Sequence, residues 1–247
     1  MEESVEGVQL SGWNDRTLRL IGPEGVRRLA SARVLVVGVG GVGGYAAEML
    51  ARTGVGHLTL VDADCVSVSN LNRQLIATAT EIGKAKVDLF ETRFRDINPE
   101  IEVTALRQFV TPENVGELLS GSYDFVVDAI DTVAPKVALL SHCLRERIPV
   151  ISSMGAGGRT DVTKVGYFDL WETREDGLAR AVRQRLKQQG LRRPLKVVAS
   201  TEAPRQGAVI KLDERNKRSS YGTTAVIPSV FGIYLGAYVI DKLIKTN

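Results

Sequence analysis

One glycine-rich turn, Gly38-Val39-Gly40-Gly41-Val42-Gly43, constrains this chain more than any other segment. It ends the apolar run Ala32–Gly40, which predicts a buried strand, and it opens Gly41–Thr53, whose apolar spacing predicts a helix. Glycines permit a tight turn and let backbone N–H groups approach a phosphate at a helix N-terminus. Asp62 lies 19 residues after the last of these glycines, where a carboxylate accepts hydrogen bonds from ribose hydroxyls. The pattern predicts a nucleotide site, and it fits NAD as well as ATP.

Strands and helices alternate through the first 155 residues. The sequence predicts further strands over His57–Asp64, Glu102–Leu106, Asp124–Asp131 and Pro149–Gly155. It predicts helices over Lys84–Asn98, Pro112–Leu119 and Pro135–Arg147. This order is typical of an α/β fold, and it predicts a Rossmann-type, doubly wound, mainly parallel sheet with right-handed crossovers.

The alternation becomes less regular after Gly155. Two more strands are predicted over Lys164–Leu170 and Lys196–Thr201, separated by a basic helix over Leu178–Gln189. Residues 204–221 read as a long polar loop, and residues 229–245 as a final helix. We therefore expect an N-terminal helical arm over 1–30, a nucleotide-binding domain over 31–155, and a C-terminal region over 156–247 that continues the sheet and binds substrate.

Cysteine usage and hydropathy limit the class of protein. The two cysteines, Cys65 and Cys143, exclude a disulfide scaffold and a four-cysteine zinc site, and they favour a reducing compartment, so we expect a cytoplasmic protein. Residues 1–16 are acidic and polar, unlike a signal peptide. Residues 222–240 carry no charge over 19 residues, about enough to span a bilayer, but threonines and a proline interrupt the start. A buried helix that closes the sheet is the favoured interpretation, and no stable membrane association is expected.

Charge is unevenly distributed along the chain. Residues 1–170 hold 17 Lys/Arg and 22 Asp/Glu, a net charge of −5, whereas residues 171–220 hold 13 against 6, a net charge of +7. Such a segment is either an ordinary solvated face or a surface for a polyanion such as a nucleic acid.

Three motifs identify a resemblance. They are Asn70-Leu71-Asn72-Arg73-Gln74, the following Gly83-Lys84-Ala85-Lys86, and Asp128-Ala129-Ile130-Asp131 at the end of the fourth predicted strand. With the glycine turn, these motifs resemble the ubiquitin-activating-like adenylating enzymes, a superfamily that includes the activators of molybdopterin and thiamine biosynthesis. The resemblance implies that ATP activates a carboxylate, with Mg²⁺ on the phosphates.

The resemblance also implies roles for individual residues. Arg73 and Lys86 are expected to clamp the triphosphate, and Asp131 to hold Mg²⁺. Arg16, with Arg19 as the alternative, is expected to reach into the partner's site across a homodimer. The remaining residues expected to line the nucleotide site are Asp62, Asp64, Asn70, Asn72, Gln74 and Asp128.

Later segments extend the resemblance over nearly the whole chain. Residues 152–170, 197–204 and 225–243 resemble the bacterial tRNA threonylcarbamoyladenosine dehydratases. In that family ATP activates the carboxylate of a modified adenosine beside the tRNA anticodon, and a nearby nitrogen or oxygen of the same group closes a ring with net loss of water. The resemblance implies tRNA as partner, with the +7 segment as its contact surface, and suggests a partner from a sulfur-transfer or desulfurase system.

Two other functions share part of this pattern. An activator of a ubiquitin-like sulfur carrier would use the same core, but such activators usually carry paired CxxC zinc motifs, which this chain lacks. Thiol-transferring relatives need an acceptor cysteine after the adenylation core, and the last cysteine here is Cys143. An NAD-dependent oxidoreductase would use the glycine turn but gives no reason for Arg73, Lys86 and Asp131 together.

Overall fold

A computed structural model describes residues 12–214 and 217–245 of the chain. Within them, seven strands form one sheet: β1 (Arg33–Val37), β2 (His57–Val61), β3 (Glu102–Leu106), β4 (Phe125–Asp128), β5 (Val150–Ser153), β6 (Val165–Asp169) and β7 (Lys196–Ser200). A separate hairpin consists of β8 (Val209–Glu214) and β9 (Lys217–Tyr221). The helices are α1 (Asp15–Ser31), α2 (Gly43–Thr53), α3 (Lys86–Ile97), α4 (Val115–Leu118), α5 (Val133–Glu146), α6 (Gly177–Gln188) and α7 (Val226–Lys245).

The sheet has the strand order β3-β2-β1-β4-β5-β7-β6. All neighbours are parallel except β6, which runs antiparallel to β7 at the edge. The α/β prediction of a doubly wound, mainly parallel sheet continued by the C-terminal region is confirmed. Because β1 lies between β2 and β4, the chain reverses its direction of travel across the sheet at β1, and a crevice opens there.

The central strands are buried on both faces. Val34, Leu35 and Val36 of β1 have no exposed surface, since helices cover the sheet on each side. One hydrophobic cluster fills the side of α2, α3 and α7, and another fills the side of α4 and α5. A strand that is buried on both faces needs an uninterrupted run of β-branched and apolar residues. Because β1 has such a run, it could be predicted from the sequence.

Helix α7 packs along α2 through glycines. A Cβ on Gly232 would lie 2.3 Å from the Val42 carbonyl oxygen, and one on Gly236 would lie 2.8 Å from Met49 Cβ. By length and composition α7 could span a membrane. Here it buries Ile227, Phe231, Leu235 and Val239 in the core, so it is the closing helix that the sequence predicts.

The polar loop predicted over residues 204–221 was wrong, because 209–221 is largely a β-hairpin. Its two strands pair only with each other, in an antiparallel ladder that runs from Val209↔Tyr221 to Glu214↔Lys217. Other boundaries moved by a few residues: α4 is shorter than predicted, and α7 begins three residues earlier.

The N-terminal arm is a helix with a sharp kink. Gly22 has φ 73° and ψ 171°, a conformation that glycine tolerates, and Pro23 restarts the helix after it. Residues 1–11 of the arm predicted over 1–30 lie outside the described part of the chain. The Trp13 ring lies 3.9 Å from where a Cβ on Gly54 would be, at the end of α2 remote from the glycine turn.

Candidate nucleotide and substrate site

The glycine turn joins β1 to α2 at the carboxyl edge of the sheet. Gly38 has φ 85°, and its N–H donates to the Val61 carbonyl at 2.7 Å. A Cβ on Gly43 would lie 1.8 Å from the Gly38 carbonyl oxygen, so no other residue fits there. Gly40 and Gly41 instead face the side chains of Gln74 and Arg73. The turn therefore combines two glycines needed for packing with two that keep a cleft open beside a helix N-terminus.

Asp62 and Lys86 form one wall of this cleft. The Asp62 carboxylate accepts from the Val39 and Asp64 N–H groups, each at 2.9 Å, and burial raises its pKa, although Lys86 partly opposes that shift. Lys86 is the first residue of α3 and only 5% exposed, with Nζ 2.8 Å from Asp64 Oδ2 and 4.0 Å from Asp62 Oδ1. Asp64 is 57% exposed. A cation held against carboxylates at an open edge can bind phosphate oxygens there.

The Asn70–Gln74 motif supplies the opposite wall. Arg73 Nη1 donates to the Ser69 carbonyl at 2.6 Å and to Asn72 Oδ1 at 3.1 Å, and Asn72 Nδ2 donates to the Thr223 carbonyl at 3.0 Å. Gln74 is buried, and its Oε1 has no hydrogen-bond partner. The Gln74 Nε2 atom is the one that faces Gly40, and the unpaired Oε1 of this buried amide can accept a hydrogen bond from a bound molecule.

Asn70 is expected to contact nucleotide, but it has a structural role here. It is buried, and its Oδ1 accepts from the Ser67 N–H at 3.1 Å. Its carbonyl accepts from the N–H groups of Arg73 and Gln74. Asn70 therefore shapes the short helical turn that aims those two side chains at the cleft.

The motif Asp128–Asp131 divides into a buried and an exposed carboxylate. Asp128 is fully buried, with Oδ2 bound to Lys136 Nζ at 2.5 Å and Ser152 Oγ at 2.6 Å, and Oδ1 accepting from Ile130 N–H. The expectation that Asp128 contacts nucleotide directly is therefore corrected, since all of these contacts are internal. Sequence analysis missed Lys136, although a lysine inside the apolar run of α5 was the signal.

Asp131 is exposed at the end of the same turn, just before α5. The turn lies against the glycines, because a Cβ on Gly38 would be 3.0 Å from the Ala129 carbonyl. The described residues contain no cluster of three or more potential metal ligands. One carboxylate at a phosphate cleft nevertheless fits Mg²⁺, which commonly binds one or two carboxylates together with substrate phosphates.

A buried arginine that sequence analysis missed organises the wall after β5. Arg159 is 3% exposed and donates to the carbonyls of Gly155, Gly157, Glu175 and Glu202. Asp176, 3.6 Å from its guanidinium, also accepts from Gly155 N–H at 2.9 Å and caps α6. Three loops are thereby joined beside the cleft. An arginine directly after a glycine-rich run, Gly155–Gly158, was the available signal.

The two cysteines have different environments. Cys143 is buried in α5, and burial, with the nearby charge of Asp128, raises the pKa of its thiol to about 12. Cys65 is partly exposed and pairs in a short bridge with Ala85, while Arg107 Nη2 lies 3.5 Å from its sulfur. The reactive species of cysteine is the thiolate, which the environment of Cys143 suppresses.

Arg16 and Arg19 lie away from the chain's own glycine turn. Both are exposed on α1, near Trp13 and the far end of α2. Helix α2 has 11 residues and is about 16 Å long at 1.5 Å per residue. The two arginines are thus outside the cleft that the other predicted residues form.

Among the described side chains of the +7 segment, several cations are held by contacts within the fold. Arg183 is half-buried and donates to the Leu170 carbonyl and to Thr173 Oγ1. Arg193 donates to the Leu144 carbonyl at 2.7 Å, and Arg192 lies over the Trp171 ring at 5.9 Å. Arg180, Arg185 and Lys187 are exposed on α6, whose apolar face packs against α5.

Comparison with known proteins gives a consistent result. The model of the ThiF family matches residues 14–246. A tRNA threonylcarbamoyladenosine dehydratase of Bacillus subtilis (strain 168) is 41% identical over 236 residues, covering 91% of this chain and 92% of that protein. The protein of the same name from Escherichia coli (strain K12) is 40% identical over 252 residues and 94% of each chain. The crystal structure of the E. coli dehydratase in complex with ATP superposes with a TM-score of 0.87 at 39% identity, covering 96% of each chain.

Proposed function

The chain belongs to the ThiF family, and we propose that it is an enzyme that uses ATP to cyclise threonylcarbamoyladenosine in tRNA with net loss of water. The observation that carries the proposal is the cleft itself. The glycines, Arg73, Lys86 and the buried Gln74 amide lie together there at a helix N-terminus. Relatives that cover nearly the whole chain bear the dehydratase name, and one of them was crystallised with ATP.

The chemistry needs positioning and charge neutralisation more than a nucleophile from the protein. Bound ATP supplies an activated phosphorus that accepts the substrate carboxylate and releases pyrophosphate. Arg73 and Lys86 would stabilise the negative charge that develops on the phosphate oxygens, and Asp131 would supply a carboxylate for Mg²⁺, which would neutralise part of that charge. The ring-closing nucleophile belongs to the substrate and displaces AMP, which leaves with one of the former carboxylate oxygens. No thiol is therefore required, which agrees with the buried and suppressed Cys143.

Asp62 is proposed to hold the ribose, and the glycine turn the phosphates. The Asp62 carboxylate already accepts two backbone N–H groups, which fix its orientation at the edge of the cleft. The roles of Asp64, Asn72 and Gln74 are proposed as part of the same cleft. In this proposal Asp64 keeps Lys86 extended until phosphate arrives, and Asn72 keeps Arg73 oriented.

Turnover is tested by pyrophosphate release in three parallel reactions. They contain unmodified tRNA, tRNA carrying threonylcarbamoyladenosine, and a ubiquitin-like sulfur carrier with a free C-terminal glycine. The proposal expects release only with modified tRNA, and mass spectrometry of the digested nucleosides should find the product lighter by one water. Release with the carrier alone would instead favour the sulfur-carrier activator. ThiF membership argues against an NAD-dependent oxidoreductase.

We also propose a homodimer in which Arg16 completes the partner's site. The support is its exposure at the far end of α2, where it is remote from its own cleft. Mixing Arg16→Ala protein with Lys86→Ala protein should restore activity, because one cleft in a mixed dimer would keep both residues. Two inactive variants that stay inactive when mixed would contradict the shared site. A sulfur-transfer partner and a cytoplasmic location stay predictions.

A further inference from the structure

Exposed cations gather at the edge of the sheet opposite to the cleft. Parallel strands place their carboxyl ends at the cleft, so the first residues of β5 and β7 lie at the other edge. Helices α5 and α6 both run toward that edge. Five cations lie around the end of α5, and together they are called the far-edge belt: Arg145, Arg147, Arg185, Arg193 and Lys196.

The members of the belt line two shallow grooves. A groove of about 400 Å³ between α5 and α6 is lined by Arg145 and Arg185. A second, of about 320 Å³, is lined by Arg147, Arg193 and Lys196. All five residues are exposed, and because the two grooves share no lining residue, the belt consists of two neighbouring basic groups, with Asp169 opposite Lys196 in the sheet.

The fold uses only part of this charge. Arg193 caps the Leu144 carbonyl, and Arg145 Nη2 donates to Gln189 Oε1 at 3.2 Å. Among the described residues, Arg147, Arg185 and Lys196 form no side-chain hydrogen bond or ion pair. Clustered like charges repel one another and lower stability unless a ligand compensates them, so these three cations indicate a polyanionic partner.

Distance determines which part of an RNA could reach the belt. Helix α5 has 14 residues and is about 21 Å long at 1.5 Å per residue, so the belt lies about 20 Å from the cleft. That span equals roughly six base-pair steps of a duplex at about 3.4 Å per step. The single nucleotide on either side of a base held in the cleft is too short to cover it, whereas a helical stem leading away from the cleft can.

We propose that the far-edge belt binds phosphates of a double-stranded part of tRNA, and that it does not contact the loop that carries the reacting base. The inference rests on the proposed function, because that function defines which nucleotide occupies the cleft. Substrate recognition would then have two parts. The cleft selects the modified base, and the belt binds only when that base is part of a folded tRNA.

The test compares a full-length modified tRNA with a three-nucleotide single strand that carries the same modified base in its middle. The belt variant is Arg147→Asn, Arg185→Gln and Lys196→Gln; asparagine suits position 147 because its φ of 59° is left-handed. For tRNA, the slope of log affinity against log salt should fall by about 2.7, which is about 0.9 for each lost phosphate contact. Affinity for the short strand should not change.

The matched control removes the same number of positive charges from sites where each cation is paired with a carboxylate. Arg27, Arg95 and Lys245 each pair with a carboxylate one turn away, so Arg27→Gln, Arg95→Gln and Lys245→Gln should leave the tRNA salt slope as in the wild type. Arg205 lies at the cleft edge, where it donates to Thr160 Oγ1. Arg205→Gln should therefore lower the affinity for both RNAs by the same factor. The inference would be overturned if the salt slope for tRNA did not change in the belt variant, or if the belt variant lost the same affinity for both RNAs. Turnover of modified tRNA by the wild type tests the proposed function separately.

Discussion

Two lysine–aspartate pairs flank β1, one on each side of the nucleotide cleft. Each joins an aspartate at the end of a strand to a lysine in the first turn of the next helix. Lys86 meets Asp64 at 2.8 Å, and Lys136 meets Asp128 at 2.5 Å. They differ in exposure: both members of the second pair are 0% exposed, whereas Asp64 is 57% exposed.

Exposure decides what each pair can do. Water screens Asp64, so its interaction with Lys86 is weak, and the lysine can exchange it for a phosphate at small cost. Lys136 has no such exchange available, because Ser152 Oγ and the buried Asp128 satisfy it inside the core. The first pair is therefore a ligand-binding device, and the second fixes the turn that carries Asp131.

The largest expected effect is on folding, through the buried pair. Lys136→Met leaves the Asp128 carboxylate buried without its cation, which should lower the free energy of unfolding by about 3–5 kcal/mol in urea titrations. Adding Asp128→Asn to that variant removes the uncompensated charge and should recover much of the loss. A single variant within 1 kcal/mol of the wild type would show that the pair is not the turn's main support.

The open pair should affect catalysis instead. Lys86→Met should raise the activation barrier by about 2.7–4 kcal/mol, or roughly 10²–10³-fold in kcat, because a stabilising charge is removed from the phosphates. Its urea unfolding midpoint should fall less than that of Lys136→Met, because Asp64 is exposed and only Asp62 loses a neighbouring cation inside the fold. Lys84→Met is the matched control, since Lys84 is 57% exposed and pairs with Glu81 outside the cleft. Equal activity in the two variants would contradict the assigned role.

The smallest effect concerns the pKa of Asp62. Burial raises this pKa above its ordinary value of 3.8, and the charge of Lys86 partly lowers it again. Lys86→Met should therefore raise the pKa of Asp62 further. The stability that Asp62 contributes is full below pH 3.8 and is lost as pH rises through the raised pKa, because the folded state favours the protonated acid.

Carbon NMR of the aspartate carboxyl groups measures that pKa directly, with Asp62→Asn identifying the signal. The comparison uses protein without ATP, so that phosphate does not replace the lysine as the neighbouring charge. A midpoint that falls or stays constant in Lys86→Met would mean that Lys86 does not stabilise the Asp62 carboxylate.

The sequence predicted those parts of the fold in which one local rule dominates. Val34, Leu35 and Val36 are apolar because both faces of β1 are covered, and Gly38 and Gly43 are glycines because backbone atoms meet there. The hairpin 209–221 was missed for the converse reason. Its sequence is mostly polar, so no apolar pattern marks its two strands, which pair only with each other.

The site was predictable as a set of residues but less so as a set of roles. The motifs correctly gathered Arg73, Gln74 and Lys86 around the glycine turn. They did not separate Asp128, which is internal, from Asp131, which is exposed, because the motif spacing contains no information about burial. Arg159 escaped notice because its partners are carbonyls of loops distant in sequence, at Glu175 and Glu202.

The carbonyls bound by Arg159 determine how a bulky substrate can enter. Residues 155–158, 175–176 and 202 share one guanidinium, so displacing any of these loops would break a hydrogen bond to Arg159 that the other loops do not replace. The opposite wall is attached more loosely, through the exposed Asn72–Thr223 hydrogen bond. A nucleotide base that enters the cleft should therefore displace the Asn72 side more easily than the Arg159 side.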